Sequence, residues 1–459
     1  MKDRRRELNL YQLFDYQGVE RHLEDMAARG WRLERTGTYF WQYRRAEPAQ
    51  VSYAVTYVSD GSLFNPRPTE NQERLDELCA AAGWEKVGDW AQMQIFVSER
   101  PDPVPLETED AVRIQAIHRS MKKNFLPSNF VLLALPFLWL LTAWSNFRRD
   151  KVDFFSSSTD LFLILLSLLL LVLQGVNLSA YYRWRRKSLA SVARGGGCAA
   201  TGGYRRFNRI SLGVLAVIAA GFLASMAVWQ RSSAGVYVLW LLFYAGMVLV
   251  IIRTREALKR RGAPKRLNMA LTLTVDAVLT VGAVSLLTFG ILRLGWFSGE
   301  GETYLYQGQE WQTVPPDIPL TAEDLTGIPY DHIRRWDLSN GSLFMSRHTY
   351  SETARQDAAR GDARYHLSYT VTDTAIGQLY DLVLEETMTN DDPDFWIITW
   401  QSADPEPWGA EAVWRRYLDG APTDTWLLCW PQRIAELELD GEPDGFQMAR
   451  AGEVLAPGP

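Results

Sequence analysis

Cysteine is scarce: three residues in 459, Cys79, Cys198 and Cys429, far apart in the chain. Only Cys429 falls in the last third, so that region has no internal disulfide. Its setting, Trp426-Leu427-Leu428-Cys429-Trp430, is that of a buried, inert thiol. Histidine is equally sparse, with five residues. There is no Gly-x-x-x-x-Gly-Lys phosphate loop, no His-Glu-x-x-His pair and no Gly-x-Ser-x-Gly elbow. No catalytic, cofactor-binding or metal-ligating residue is assigned on that inventory. His332, His348 and His366 share one acidic region and could meet at a metal, but they lack the close pairing of common metal sites, and ordinary strand or surface histidines are the better reading. The N-terminus, Met1-Lys2-Asp3-Arg4-Arg5-Arg6, leads to no apolar core with a cleavage site, so a cleaved signal peptide is not expected. Gly195-Gly196-Gly197 and Gly202-Gly203 follow no strand, and a flexible loop is expected there.

Apolar runs are abundant instead. Five segments, Phe130–Phe147, Asp160–Leu178, Ile210–Trp229, Val236–Ile252 and Leu271–Leu292, are each about the length a bilayer-crossing helix requires. An odd number of crossings puts the two ends of the chain on opposite sides. The stretch after the second segment holds Arg183, Arg185, Arg186, Lys187, Arg194 and Arg205. The one after the fourth holds Arg253, Arg255, Lys259, Arg260, Arg261 and Lys265. Short loops rich in Lys and Arg stay cytoplasmic, which places the N-terminus inside and the C-terminus outside. Arg148, Arg149 and Lys151 argue weakly the other way, offset by Asp150, Asp153 and Asp160.

The net charge of −6 hides three regions. Residues 1–128 carry 18 basic and 20 acidic side chains, residues 129–295 carry 20 and 5, and residues 296–459 carry 10 and 29. The basic inner loops fix topology and would lie against anionic inner-leaflet lipids, each cation worth about 1 kcal/mol near the surface. The acidic C-terminal region reads first as a soluble surface whose charge opposes association, with attraction of cations or metals as the alternative. No nucleic-acid partner is expected.

In the N-terminal region a pattern occurs twice. Val19, Leu23 and Met26 share one side of a short helix that stops at Gly30-Trp31; Leu75, Leu78 and Cys79 do the same before Gly83-Trp84. Glycine just past a helix accepts the left-handed conformation that closes it, and the following Trp can fold back. Gly30, Trp31, Gly83 and Trp84 are therefore structural candidates. Alternation at Tyr39, Trp41 and Tyr43, at Tyr53, Val55 and Tyr57, and at Met93, Ile95 and Val97 predicts strands. Two helices on a largely antiparallel sheet are expected, followed by an acidic linker, Pro101–Asp110, and a helix entering the membrane near Pro127.

Glu20, Leu23, Met26, Ala27, Gly30 and Trp31 spell Glu-x-x-Leu-x-x-Met-Ala-x-x-Gly-Trp, followed by an aromatic strand pair, Ala81-Ala82-Gly83-Trp84 and a basic stretch before the first apolar segment. This resembles the bacterial membrane-protein family known as domain of unknown function 2812, over about residues 10–128. The resemblance implies a Gram-positive source and a regulated membrane function, since members tend to be encoded beside small winged-helix repressors of the PadR type. It implies no catalytic residues.

Asp276 is the one charge well inside an apolar segment, roughly 8 Å past its inner end at Leu271. A carboxyl there is costly and by default marks a functional position; the alternative is a protonated acid serving as packing glue. Thr272 and Thr280 flank it on the same face, while Gln174 and Asn177 lie toward the inner end of the second segment. In the C-terminal region Tyr365, Leu367, Tyr369 and Val371, then Ala435, Leu437 and Leu439 before Asp440-Gly441, alternate as strands; Ile376, Leu379, Tyr380 and Val383 follow helix spacing. Trp396, Trp400, Trp408, Trp414, Trp426 and Trp430 are expected mainly in its core, with an aromatic cation cage as the lesser alternative.

The fold class read from these patterns is a multi-domain integral membrane protein. An α+β cytoplasmic domain spans residues 1–110. An amphipathic lead-in and a five-helix transmembrane bundle span 111–295, and a β-rich α+β extracellular domain spans 296–459. The expected function is a plasma-membrane binding, signalling or regulatory protein without catalysis, with a possible protein partner at the cytoplasmic domain. A transporter or permease component with Asp276 on a polar path is the second reading and a membrane-bound enzyme the third.

Overall fold

The computed structural model describes residues 3–107, 109–229, 231–294, 302–389 and 397–458; the side chains at 124, 229, 231–237, 239, 240, 287 and 290–294 lie outside that description. The chain divides into two compact units, one of residues 1–140, 165–218 and 242–282, the other of 141–164, 219–241 and 283–459.

The first unit begins with β1 (Arg4–Leu8), α1 (Tyr16–Ala28), β2 (Trp31–Arg35) and β3 (Phe40–Arg45), then repeats that order as β4 (Ser52–Tyr57), α2 (Glu70–Ala81), β5 (Glu85–Trp90) and β6 (Met93–Ser98). Each copy forms its own three-stranded antiparallel sheet, β1-β3-β2 and β4-β6-β5. The register slips at corresponding places, between Leu33 and Arg35 and between Lys86 and Gly88. The expected single sheet is thus two matching sheets, because β4 starts a second copy instead of continuing along β3. Asp15 caps α1 by accepting from the Gly18 N–H, and Thr69 with Gln72 forms a capping box on α2. Gly30 and Gly83 close the helices with φ of +79° and +86°. Trp84 returns to bury itself with Cys79 and Phe96.

β4 is an edge strand, and an unpaired edge leaves backbone N–H groups without partners. Two acids one turn apart on α1 supply them: Glu20 accepts from the Val55 N–H (2.9 Å) and Glu24 from the Tyr53 N–H (3.2 Å). The core of the unit joins Val19, Leu23 and Met26 of α1 to Trp41, Tyr43, Val55 and Ile95 of the strands.

After α3 (Asp110–Ser120) a π-helical turn at Met121–Phe125 runs into α4 (Leu126–Arg149). Then come α5 (Lys151–Ser156), α6 (Ser158–Val192), α7 (Tyr204–Trp229), α8 (Arg231–Arg260) and α9 (Lys265–Leu294). Among the described residues, four helical spans are long and apolar enough to cross a membrane: Leu126–Arg149, Ser158–Val192, Tyr204–Val228 and Lys265–Leu286. The remaining expected segment, Val236–Ile252, falls in α8, where the side chains at 236, 237, 239 and 240 are outside the described residues. α6 outlasts a bilayer, and its last turns carry Ala180, Tyr181 and Trp184 into the N-terminal core.

The second unit holds a hairpin of β7 (Thr303–Tyr306) and β8 (Gln309–Gln312), then α10 (Ala322–Thr326). Its main sheet comprises β9 (His332–Gly341), β10 (Met345–Arg355), β11 (Arg364–Thr374), β12 (Ile398–Ala403), β13 (Ala412–Leu418), β14 (Ala421–Trp430) and β15 (Arg433–Glu438). α11 (Gly377–Met388) separates β11 from β12, and α12 (Gly445–Leu455) ends the chain. The seven strands run antiparallel in the order β12-β13-β14-β15-β11-β10-β9, two meanders joined where β15 pairs with β11. One face buries Leu367, Tyr369, Trp426 and Leu437 under α10 and α12. The other buries Met345, Leu427 and Ile434 under α5 and α11. Trp408, Trp426 and Trp430 are core and Trp400 and Trp414 half-buried, whereas Trp396 lies outside the described residues. Cys429 is buried and unpaired.

Candidate ligand cavity

Within the first unit, a cavity of about 540 Å³ opens where the N-terminal domain meets α4, α6 and α7. Residues 9–13, between β1 and α1, and 90–92, at the β5–β6 turn, form its domain side. These segments are held firmly. The Asn208 amide donates to the Leu10 carbonyl (2.9 Å), the Tyr57 hydroxyl to Leu13 (2.5 Å), and the Gln92 amide to Gly61 (2.9 Å). Tyr11 stacks on Trp41 at 5.5 Å between ring centres.

The helices contribute Asn129 and Leu132 from α4, Gln174, Asn177 and three leucines from α6, and Asn208, Ser211, Leu212 and Leu215 from α7. Gln12, Asn129, Gln174, Asn177 and Ser211 are all buried. The carbonyl oxygens of Asn129, Asn177 and Asn208 and the hydroxyl of Tyr11 have no hydrogen-bond partner among the described residues. Buried polar atoms are nearly always satisfied, so a concentration of orphans around one cavity points to binding. The lining is mostly apolar with a few convergent polar groups, as in small-molecule sites generally. Among the described residues its lining holds no Asp, Glu, Lys, Arg or His.

The glycine-rich loop between α6 and α7 is pinned rather than loose. The Cys198 N–H donates to Asp110 (3.2 Å), the Thr201 N–H to Gln17 (3.0 Å), and Arg21 to the Thr201 carbonyl (3.2 Å). Arg205 of the basic stretch bonds Glu7 and His22 of the N-terminal domain, so part of that positive charge is already matched by protein.

Asp276 is half-buried on α9 and makes no hydrogen bond or ion pair among the described residues. Thr272, one turn away, is buried and donates to Asn268 (3.3 Å) rather than to Asp276, and Thr280 is exposed. The three C-terminal histidines do not converge. His332 is enclosed by Tyr306 (ring centres 3.7 Å apart), the Tyr304 hydroxyl (2.7 Å) and Asp357 (3.0 Å). His348 pairs with Ser339 in the β9–β10 register, roughly 23 Å along the strand from His332. His366 is exposed beside Thr353. Among the described residues no group of three His, Cys, Asp or Glu could hold a metal. The aromatic cluster of Tyr304, Tyr306 and Trp311 encloses His332 itself.

The second unit has a cavity of its own, about 350 Å³, between the sheet, α11 and the start of α5. Several of its charges are paired within the unit: Arg347 with Asp153 (2.6 Å), Glu386 with Lys151 (2.5 Å) and, more loosely, Arg416 with Glu436 (3.8 Å). Burial pushes the Glu436 carboxyl up, while Arg416 and Arg347 pull it down.

Sequence reasoning singled out Gln174 and Asn177 but not their neighbours. The missed signal was amides at the domain-side ends of several apolar helices at once: Asn129, Asn177 and Asn208.

Residues 15–128 match the family described as Protein of unknown function (DUF2812), the family that the Gly-Trp pattern resembles. No curated protein and no solved structure matches the chain.

Proposed function

We propose that this chain, carrying the DUF2812 segment at its N-terminal side, is a non-catalytic, membrane-spanning binding and regulatory protein. It couples a C-terminal domain outside the plasma membrane to an N-terminal domain inside. The observation that carries this reading is the ligand cavity formed jointly by the N-terminal domain and three helices. A ligand there touches both, and so can bias how the domain is held. The division of the chain supports five crossings, because each of the five long helices passes once from one unit to the other. Both basic stretches bond to the N-terminal domain, through Arg205 to Glu7 and through Arg255 to the Thr38 hydroxyl (3.4 Å), which supports placing that domain at the positively charged, cytoplasmic side.

Coupling is testable by hydrogen exchange on the full-length protein and on a form lacking residues 302–458. Regulation through the membrane predicts altered protection at residues 9–13 and 90–92 when the C-terminal domain is removed. Unchanged protection would leave two uncoupled domains. The second reading, a transporter component, draws on Asp276, Thr272 and Asn268 forming a stripe four residues apart along α9, with Asp276 lacking a described partner.

A further inference from the structure

The three helices present the same order of side chains to the first unit's cavity. On α4, Asn129 lies nearer the N-terminal domain and Leu132 lies inward of it. On α6, Asn177 and Gln174 give way inward to Leu173 and Leu170. On α7, Asn208 and Ser211 give way to Leu212 and Leu215. The cavity therefore has an amide rim at the domain end and a leucine wall toward the helix centres.

Among the described residues no charged side chain lines it. An ionised head group would be buried there without a counter-charge, which is strongly unfavourable. The rim asks for hydrogen-bond donors. The Asn129 NH₂ donates to the Phe125 carbonyl (2.8 Å) and the Asn208 NH₂ to Leu10 (2.9 Å), so the orientation of both amides is fixed. Their oxygens are left as buried acceptors without partners. A hydroxyl can satisfy such oxygens, whereas a phosphodiester or an ester, which only accepts, cannot.

We propose that this cavity binds a membrane lipid with an uncharged, hydroxyl-bearing head group, of the diacylglycerol or glycosylated diacylglycerol class. The head sits among Asn129, Asn177 and Asn208, and the chain leaves along Leu170, Leu173 and Leu215 into the bilayer. This rests on the reading of the chain as a membrane-spanning binding protein. It differs from the expected contact of basic loops with anionic lipids, which is a surface attraction and needs no cavity.

The test uses full-length protein in nanodiscs with a photoactivatable diacylglycerol, and mass spectrometry to map the labelled peptides. Labelling is expected in 125–132, 169–177 or 208–215. Unlabelled diacylglycerol should compete at least tenfold better than phosphatidylglycerol with the same chains, and free glycerol should not compete. Leu173→Trp, which fills the apolar wall, should reduce labelling at least fivefold. Asn177→Leu, which removes an amide with no described partner, should do the same without loss of folded protein. Equal competition by phosphatidylglycerol would overturn the uncharged head group while leaving the cavity a binding site. Equal competition by glycerol would overturn the lipid. Labelling only outside these peptides would overturn the site itself. None of these results alters the hydrogen-exchange coupling test, so failure of the ligand class and failure of the regulatory reading remain distinct.

Discussion

Gly30 and Gly83 occupy corresponding places in the two copies, yet substitution should not cost the same at each. Both have positive φ, where replacing Gly by Ala costs about 1 kcal/mol or more. At Gly30 an added Cβ would stand 2.8 Å from the Ala46 carbonyl oxygen. That segment is tied down, since the Ala46 N–H donates to the Gly30 carbonyl (3.0 Å). Forcing an atom against fixed backbone adds about 1–3 kcal/mol. At Gly83 the nearest atom is the Arg100 guanidinium, 2.3 Å away, on an exposed side chain that can swing aside. Gly30→Ala should therefore cost about 2–4 kcal/mol, and Gly83→Ala about 1 kcal/mol. Native-state hydrogen exchange on the full-length protein reads both. Protection in α1 should fall by roughly 30-fold or more in Gly30→Ala, and protection in α2 by about fivefold in Gly83→Ala, at 1.4 kcal/mol per tenfold. Equal losses, or a larger loss at Gly83, would refute the reasoning.

Burial pushes the Glu20 carboxyl up to about 7, against the Val55 N–H bond that pulls it down. The folded state thus holds the proton more tightly than the unfolded one. N-terminal stability should fall by up to about 3 kcal/mol as pH rises from about 4.5 to about 7; Glu20→Gln should flatten that profile, and an unchanged profile would count against it. Glu352 is fully buried, accepting from the Ala322 N–H (2.9 Å) and Arg335 (3.2 Å). Arg335→Met should destabilise the C-terminal domain by about 3–5 kcal/mol, with much of the loss recovered in the Arg335→Met/Glu352→Met double variant; thermal unfolding checks both. Asp276→Asn should leave abundance and assembly intact because no described ion pair is lost. Loss of the cellular phenotype with normal abundance would favour the transport reading.

The helix-strand alternation around Gly30 and Gly83 was legible because Val19, Leu23 and Met26 keep helix spacing while Trp41 and Tyr43, and Tyr53, Val55 and Tyr57, alternate; Tyr39 and Leu78, read into the same patterns, are exposed. β1 and β5 were not, because Arg4–Leu8 and Glu85–Trp90 carry few apolar residues and are held by pairing with β3 and β6. The division into two sheets was equally hidden, since strand pairing depends on chain reversal rather than on the period of any one strand. β11, β15 and α11 could be read for the same reason as the N-terminal elements. The cavity was only half visible: Gln174 and Asn177 stood out in an apolar run, but Asn129 and Asn208 sit at helix ends where polar residues are ordinary. The fold brings them together.

The central claim is that the two domains lie on opposite sides of a membrane, and reporter fusions after Lys265 and after Trp311 test it most directly. The account predicts a cytoplasmic signal at Lys265 and an external one at Trp311. Signals from the same side at both positions would mean that α9 does not cross, and the coupling proposed through the helices would fall with it.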